Sequence, residues 1–212
     1  GPTIEDIDPV RFVSNRSSGR MGYRLAEAAR DRGATVVLVS GPTALPPPAG
    51  VEVLAVRSAV EMAAAVDGRF ESSTIAIMAA AVSDYRPAEV SPVKVKKGQS
   101  GVALELVRTP DILAGLGRRK GTRTLVGFAA ETDHLRENAR QKLKSKGLDL
   151  IVANDVTQEG AGFLGDTNAA VLLDREGREA EVALTSKREL ADRILDRVLE
   201  LRAGRQEAAV AR

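Results

Sequence analysis

Four short apolar runs set the strongest limit on what this chain can fold into. Residues 35–40, 74–78, 124–128 and 148–153 are rich in Val, Ile, Leu and Ala, and segments with helical spacing separate them. A strand that is apolar on both faces must be covered on both faces. Strands alternating with helices favour a parallel sheet with right-handed crossovers. The expected fold is α/β, a doubly wound, mostly parallel sheet. Residues 169–173 and 179–184 flank Asp174-Arg175-Glu176-Gly177, which adds a C-terminal antiparallel hairpin.

Local signals fill in the rest. Residues 1–20 read as loop, with Asp8-Pro9 and Ser17-Ser18-Gly19 as turn chemistry. A helix is expected over 21–31, stopped by Gly33, and a strand over 51–56. Ser58 with Glu61 forms a capping box for a helix to about Asp67. Residues 79–99 read as a long irregular segment, followed by a short strand over 104–107. Thr109-Pro110-Asp111 reads as a helix start with Thr109 as the cap and Pro110 in the first turn. Further helices are expected over 132–146 and from Ser186 to about Arg202. We expect a single domain over 1–202 and a disordered tail over 203–212. The chain opens on Gly1-Pro2-Thr3 without an initiator Met, as a piece cut from a longer protein whose first strand was trimmed would.

Composition narrows the function. The chain has 212 residues, 43% of them hydrophobic but only 3% aromatic, so its core must be aliphatic. Its 31 basic and 29 acidic residues leave a net charge of +2, which argues against a general nucleic-acid or membrane-surface role. With no cysteine and one histidine, His134, neither a thiolate nucleophile nor a multi-histidine metal site can be built. The absence of cysteine permits an intracellular, cytoplasmic setting. No apolar run approaches the roughly 20 residues that span a bilayer.

Open α/β sheets bind ligands at the carboxyl ends of their strands. Polar clusters fall there: Asp84 after one strand, Glu131 after another, Asn154-Asp155 after a third. The turn Ser14-Asn15-Arg16-Ser17-Ser18-Gly19-Arg20-Met21-Gly22 opens a helix with hydroxyls, glycines and free N–H groups, which suits a phosphate. It lacks the Gly-Lys-Ser/Thr ending of a P-loop and is not a dinucleotide fingerprint. The small residues Ala79, Ala80 and Ala81 would let a ligand approach the backbone, and Asp84 can hold a ribose hydroxyl or a metal ion. Lys94, Lys96 and Lys97 form either a solvated patch or a phosphate contact. Lys142 and Lys146 share a helix face, as a clamp on a polyanion or as complements to the helix dipole. Phe128 is a core residue by default and a base-stacking residue if it borders the crevice.

In this order, Asp8-Pro9-Val10-Arg11-Phe12, Ser14-Asn15-Arg16-Ser17-Ser18-Gly19, Ala80-Ala81-Val82-Ser83-Asp84-Tyr85, Lys94-Val95-Lys96-Lys97, Val126-Gly127-Phe128-Ala129-Ala130-Glu131-Thr132 and Ala153-Asn154-Asp155 resemble the phosphopantothenoylcysteine synthetase family over essentially the whole chain. The resemblance implies a Rossmann-like, dimeric fold. It also implies CTP-dependent ligation of 4′-phosphopantothenate to L-cysteine, with Mg²⁺ and through an acyl-cytidylate, as a step of coenzyme A biosynthesis. Carried over, Ser17, Gly19 and Gly22 resemble the nucleotide phosphate loop, and Asn15 the asparagine that binds the acyl-phosphate region. Met78 and Ala79 resemble nucleotide contacts, and Ala80, Ala81 and Asp84 the wall between nucleotide and pantothenate. Lys94 resembles the essential loop lysine, and Arg11 the arginine that a partner subunit offers to the pantothenate phosphate. Pro110, Asp111, Ile112, Leu113, Phe128, Lys142, Lys146 and Asn154 resemble nucleotide contacts. The family's bacterial form usually carries an N-terminal flavin decarboxylase, and nothing in this chain resembles it, so no flavin is expected here.

Two other functions compete. A nicotinamide-dependent reductase on such a fold needs a Tyr-x-x-x-Lys pair, and neither Tyr23 nor Tyr85 has a lysine four residues on. A nucleotide-binding regulator would bind CTP without turnover. The C-terminal hairpin is one place where a second copy could dock.

Overall fold

The computed structural model describes residues 1–96, 103–131, 134–155, 162 and 165–210. Strands β1 (Ile4–Asp6) and β2 (Phe12–Ser14) form a small antiparallel hairpin, so the first twenty residues are not all loop as expected. Three-residue strands with mixed polar and apolar side chains have too few positions to show a period. Next come α1 (Arg20–Asp31), β3 (Val37–Ser40), β4 (Glu52–Ala55), α2 (Ala59–Phe70), β5 (Ile75–Met78) and β6 (Tyr85–Pro87). After them lie β7 (Leu106–Arg108), α3 (Ile112–Arg119), β8 (Thr124–Glu131), α4 (Leu135–Ser145) and β9 (Leu150–Asp155). The chain closes with β10 (Thr167–Asp174), β11 (Glu179–Ser186) and α5 (Lys187–Val210).

A five-stranded sheet of order β11-β10-β9-β8-β5 is the centre of the molecule. Strands β5, β8 and β9 run parallel, and the hairpin β10–β11 joins them antiparallel, as the sequence suggested. Alternation along each strand sorts its side chains onto two faces. Val126, Leu150, Val152, Ala170 and Leu172 face α1 and α5, meeting Leu25, Ala28, Leu190 and Ile194. Their neighbours Leu125, Ile151, Ala153, Val171 and Leu173 face the other way, onto Met62 and Phe70 of α2, Leu116 of α3 and Ala139 of α4. Each fully buried Leu or Ile here stabilises the fold by roughly 1.5–3 kcal/mol.

Strands β3 and β4 pair parallel as a separate two-stranded unit. Among the described residues no strand pairs with β5 on the side away from β8. A single-residue bridge from Pro2 to Ala81 runs along its continuation, and a Cβ on Gly41 would lie 1.9 Å from the Pro2 carbonyl oxygen. This corrects the expectation of fully buried strands over 35–40 and 74–78: most of β3 and all of β5 are half-buried, because each has one unpaired flank.

Several boundaries move for local reasons. The irregular stretch over 79–99 contains β6, which pairs with β7. Asp111, not Thr109, caps α3, accepting from the Ala114 N–H, while the Thr109 hydroxyl donates to the Ser83 carbonyl at 2.5 Å. The Ser58 hydroxyl accepts from the Glu61 N–H, but Glu61 reaches back to the Arg57 N–H, and α2 runs on to Phe70. Helix α4 begins at Leu135 after His134, which has a positive φ of 45°. Helix α5 continues past Arg202 to Val210, with Arg205 paired to Asp149. Residues Gly117 and Gly147 let α3 meet the turn after α4 backbone to backbone. A Cβ on Gly117 would lie 1.9 Å from the Lys146 carbonyl oxygen.

Candidate functional site

The register of the parallel strands makes a notch. Met78 pairs with Gly127 at the end of β5, whereas β8 continues beyond it to Glu131, beside Asp155 of β9. Ala79, Phe128 and Met21 pack at one side of this notch, and Ala80, Met78 and Leu113 border the second core. The overhang of β8 therefore places Phe128, half-buried, where the sheet loses its neighbour.

The N-terminus of α1 borders the same region. Gly19 is left-handed (φ 77°), and no side chain caps the helix. The Ser17 hydroxyl accepts from the Gly19 N–H at 3.3 Å, and the Ser18 hydroxyl from the Arg20 N–H at 3.5 Å. A Cβ on Gly22 would meet nothing within 4 Å, so protein packing does not require a glycine there and the first turn of the helix has room beside it. The Asn15 side-chain amide donates to the Ala81 carbonyl at 3.0 Å. That bond joins the turn after β2 to the segment after β5, 66 residues away. It uses one of the two N–H donors of the amide and leaves the second to face a ligand.

The opposite wall comes from α3 and α4. Lys142 Nζ donates to the Phe128 carbonyl at 2.9 Å, and Lys146 Nζ pairs with the Asp111 carboxylate. Burial raises the Asp111 pKa, but the Lys146 bond, the Ala114 N–H and the nearby Lys142 charge bring it below the ordinary carboxylate value. Asp84 lies beside this helix start, since its carbonyl accepts from the Thr109 N–H at 3.0 Å. Its carboxylate is exposed and makes no hydrogen bond or ion pair among the described residues. At the end of β9, Asn154 Oδ1 is buried without a partner among the described residues. A cleft of about 540 Å³ between α2 and α3 shares Pro110, Asp111 and Ile112 with this wall but not Asn15, Phe128 or Lys142.

The structure thus brings Asn15 to Ala81, and Phe128, Lys142, Lys146, Asp111, Ile112 and Leu113 to one side of the sheet end. It sets Lys94 apart. That residue is exposed, and its neighbour Val95 is bonded to Asp8 and Arg11 rather than to the notch. Arg11 uses Nε and Nη2 on Asp8 and Val95 of its own chain and stays nearly half exposed. Lys97 and Thr132 lie outside the described residues, as do the side chains of Glu131 and Asp155.

Sequence reasoning missed Lys187 and Asp166. Lys187 is buried at the start of α5 and donates to the Gly162 and Gly165 carbonyls at 2.8 and 2.6 Å. Burial and the Arg20 charge lower its pKa, and Asp166 opposes them. Asp166 in turn accepts from Arg20, the first residue of α1, at 2.8 Å. These contacts tie the entry to β10 to the start of α1. Only a basic residue at a helix start hinted at them.

No group of three or more His, Cys, Asp or Glu among the described residues could hold a metal ion. An ion in the notch would rest on a bound ligand's oxygens, on water, and on at most a carboxylate such as Asp84. That fits Mg²⁺ carried by a nucleotide polyphosphate.

Residues 1–201 match the family described as the DNA/pantothenate metabolism flavoprotein C-terminal domain. The coenzyme A biosynthesis bifunctional protein CoaBC of Bacillus subtilis strain 168 is 48% identical over 202 residues, covering 95% of this chain and 50% of that protein. CoaBC of Escherichia coli K12 is 46% identical over 203 residues, covering 94% and 50%. The chain thus spans about half the length of these relatives. The crystal structure of the C-terminal domain of a CoaBC protein superposes with a TM-score of 0.80 at 43% identity, covering 93% of this chain and 90% of that one. The mixed sheet, its layered helices and this agreement over nearly the whole chain place the protein in the DNA/pantothenate metabolism flavoprotein C-terminal domain family.

Proposed function

We propose that this chain is a phosphopantothenate–cysteine ligase that uses CTP and Mg²⁺ in coenzyme A biosynthesis. The observation that carries the reading is the bond between Asn15 and Ala81. It fixes a neutral amide between the open N-terminus of α1 and the small-residue wall after β5. Its support from outside is the similarity to CoaBC proteins, named for coenzyme A biosynthesis.

In this reading the triphosphate lies along the turn of Ser17, Gly19 and Gly22, where the first-turn N–H groups and the positive end of α1 attract it. Phe128 lies against the base, Asp84 holds the ribose or Mg²⁺, and Lys142 and Lys146 neutralise phosphate charge. Asn154 offers its unpartnered carbonyl to a nucleotide donor. Pro110, Asp111, Ile112 and Leu113, with Met78 and Ala79, line the nucleotide side; Ala80 and Ala81, with Asp84, separate it from the acid. The carboxylate oxygen of 4′-phosphopantothenate attacks the α-phosphorus of CTP, and the bond to the β-phosphate oxygen breaks, releasing pyrophosphate. The cysteine amine then attacks the acyl carbon and loses a proton, and CMP leaves with the electron pair of the acyl–oxygen bond. The Asn15 amide steadies the oxygen on which negative charge grows, without acting as a nucleophile itself. Lys94 neutralises the leaving phosphates. Mg²⁺ supplies charge neutralisation on the nucleotide.

The active unit is a homodimer, in which Arg11 of one copy meets the pantothenate phosphate of the other. Val10, Phe12, Tyr85, Val90, Val93 and Leu106 are exposed on and beside the small hairpins β1–β2 and β6–β7, an apolar surface suited to a second copy. Of the C-terminal hairpin, only Leu184 is an exposed large apolar residue. We place the chain in the cytoplasm, beside an N-terminal flavin decarboxylase in the full protein. No flavin, nucleic acid or membrane belongs to its own site. Among the described residues no helix is long and apolar enough to cross a membrane.

The test is pyrophosphate release on mixing the protein with CTP, Mg²⁺ and 4′-phosphopantothenate before cysteine is added. Stoichiometric release supports the ligase. Tight CTP binding with no release would make the chain a nucleotide-binding regulator instead.

A further inference from the structure

The Asp8 carboxylate is enclosed and accepts five hydrogen bonds. Oδ1 takes the Val10 and Arg11 N–H groups at 2.8 and 2.9 Å, which shapes its own turn. Oδ2 takes Arg11 Nε at 3.0 Å and Nη2 at 2.5 Å, and then the Val95 N–H at 3.1 Å, 87 residues away. The same Arg11 Nη2 donates to the Val95 carbonyl at 2.8 Å. Val95 is thus held through both of its backbone polar groups. Four residues earlier, the Ser91 N–H donates to the Ile7 carbonyl at 2.9 Å. Residues 91–95 are therefore strapped at both ends to the 7–11 turn, with Lys94 exposed one position before the Asp8 contact.

We propose that Asp8 is the positioning residue for Lys94 and Arg11, holding the two cations as one unit at a fixed place relative to Asn15. The register Ile4↔Ser14, Glu5↔Val13 and Asp6↔Phe12 makes the turn and Asn15 opposite ends of one short hairpin. A strap anchored on the turn is thereby referenced to the amide. The role demands a carboxylate. Five donors converge on two oxygens, and an asparagine would present an NH₂ group to one set of them. A turn alone accounts for Oδ1; it does not account for the bond to Val95. Arg11 Nη1 stays available for a phosphate while Nη2 and Nε are engaged. The proposal rests on the reading of Lys94 and Arg11 as substrate-side cations.

The test uses Asp8→Asn, Lys94→Gln, the double variant, and Val95→Pro, which removes the strap's donor while leaving the carboxylate and its turn in place. Trypsin cleavage after Lys94 and Lys96 reads the strap directly, and pyrophosphate release reads the chemistry. Asp8→Asn is expected to speed cleavage at Lys94 at least tenfold and to slow release about 10–100-fold, the scale of a misplaced group. Its KM for 4′-phosphopantothenate should rise. Val95→Pro should slow release to a similar extent. At saturating 4′-phosphopantothenate, where the Arg11 effect on KM is removed, Asp8→Asn should add no further loss of release rate in the Lys94→Gln background. Unchanged cleavage and rate in a folded Asp8→Asn protein, or losses that multiply in the double variant, would overturn the proposal. If Lys94→Gln alone leaves the rate unaltered while Asp8→Asn still frees the strap, the catalytic reading of Lys94 fails and the anchor stands.

Discussion

The two ends of the central sheet use charge differently. At the amino ends of the parallel strands, cations converge on buried carboxylates. Asp149, fully enclosed before β9, takes Lys120 at 2.5 Å, Arg175 at 3.3 Å and Arg205, and it also accepts from the Leu125 N–H at 2.8 Å. Asp174, at the same end of β10, pairs with Arg197 and accepts from the Glu176 and Arg178 N–H groups. At the carboxyl ends, Lys142 donates to the Phe128 carbonyl and Lys187 to the Gly162 and Gly165 carbonyls. Ion pairs stand at this end too, Lys146 with Asp111 and Arg20 with Asp166, but on exposed carboxylates. One end gathers its cations on enclosed carboxylates and so ties α3, α5 and the β10–β11 turn to the sheet. The other sets lysines against main-chain carbonyls and keeps these ion pairs within reach of solvent.

Substitutions that should affect only one end test this contrast. The largest effect belongs to the amino end. Asp149→Asn strips the partner from three cations and should cost about 3–5 kcal/mol of stability, the scale for breaking a buried pair. Urea unfolding would read that loss, while the folded fraction should keep its affinity for CTP. A matching fall in CTP affinity would show that the ends are not separate. Asn15→Ala should do the reverse. The rate of product formation falls by about 10²–10³, with CTP binding and the unfolding midpoint retained. A variant that loses CTP binding yet turns over normally at saturation would remove the role assigned to the amide.

Smaller effects sharpen the comparison. Lys142→Met should weaken CTP binding about tenfold, the order expected for one charge-assisted hydrogen bond, and should weaken cytidine binding much less. Titration calorimetry with both ligands separates charge from base contact. The Asp149 pKa is pushed up by burial but pulled further down by Lys120, the Leu125 N–H and Arg205, so its net displacement is downward. Its contribution to stability is therefore complete above the unfolded carboxylate value of about 4 and is lost as pH falls from there through the lower folded value. Acid unfolding of Asp149→Asn should show a shallower dependence than wild type in that window. Least of all, Arg136→Ala breaks the exposed pairs with Glu179 and Glu181 and should leave the unfolding midpoint unchanged within error, as for most surface ion pairs.

What could be read from the residues follows from the range of the interactions. The long strands β8, β9 and β10 and helix α1 announce themselves, because packing against a core imposes a period on consecutive side chains. Strands β1, β2 and β6 are too short to carry one. The Thr109-Pro110-Asp111 start was visible, but which residue caps it depends on the Ser83 carbonyl, 26 positions away, claiming the Thr109 hydroxyl. Asn15 and Phe128 stood out by residue type, yet their surroundings come from the Ala81 carbonyl and from the register between β5 and β8. Asp8 looked like a turn residue, and so it is. Nothing near it in the chain signals Val95.

The contact at Gly117 reaches further than its position suggests. Because hydrogen stands where other residues carry carbon, α3 lies directly on the turn that ends α4. Asp111 at one end of α3 and Lys146 at the close of α4 consequently share a gauge cut by two stretches of bare main chain. Any side chain at 117 would act as a shim, opening the gap between the helices and carrying Asp111 and Lys146 apart. The spacing of that pair at the mouth of the α2–α3 cleft is thereby set from the far end of α3.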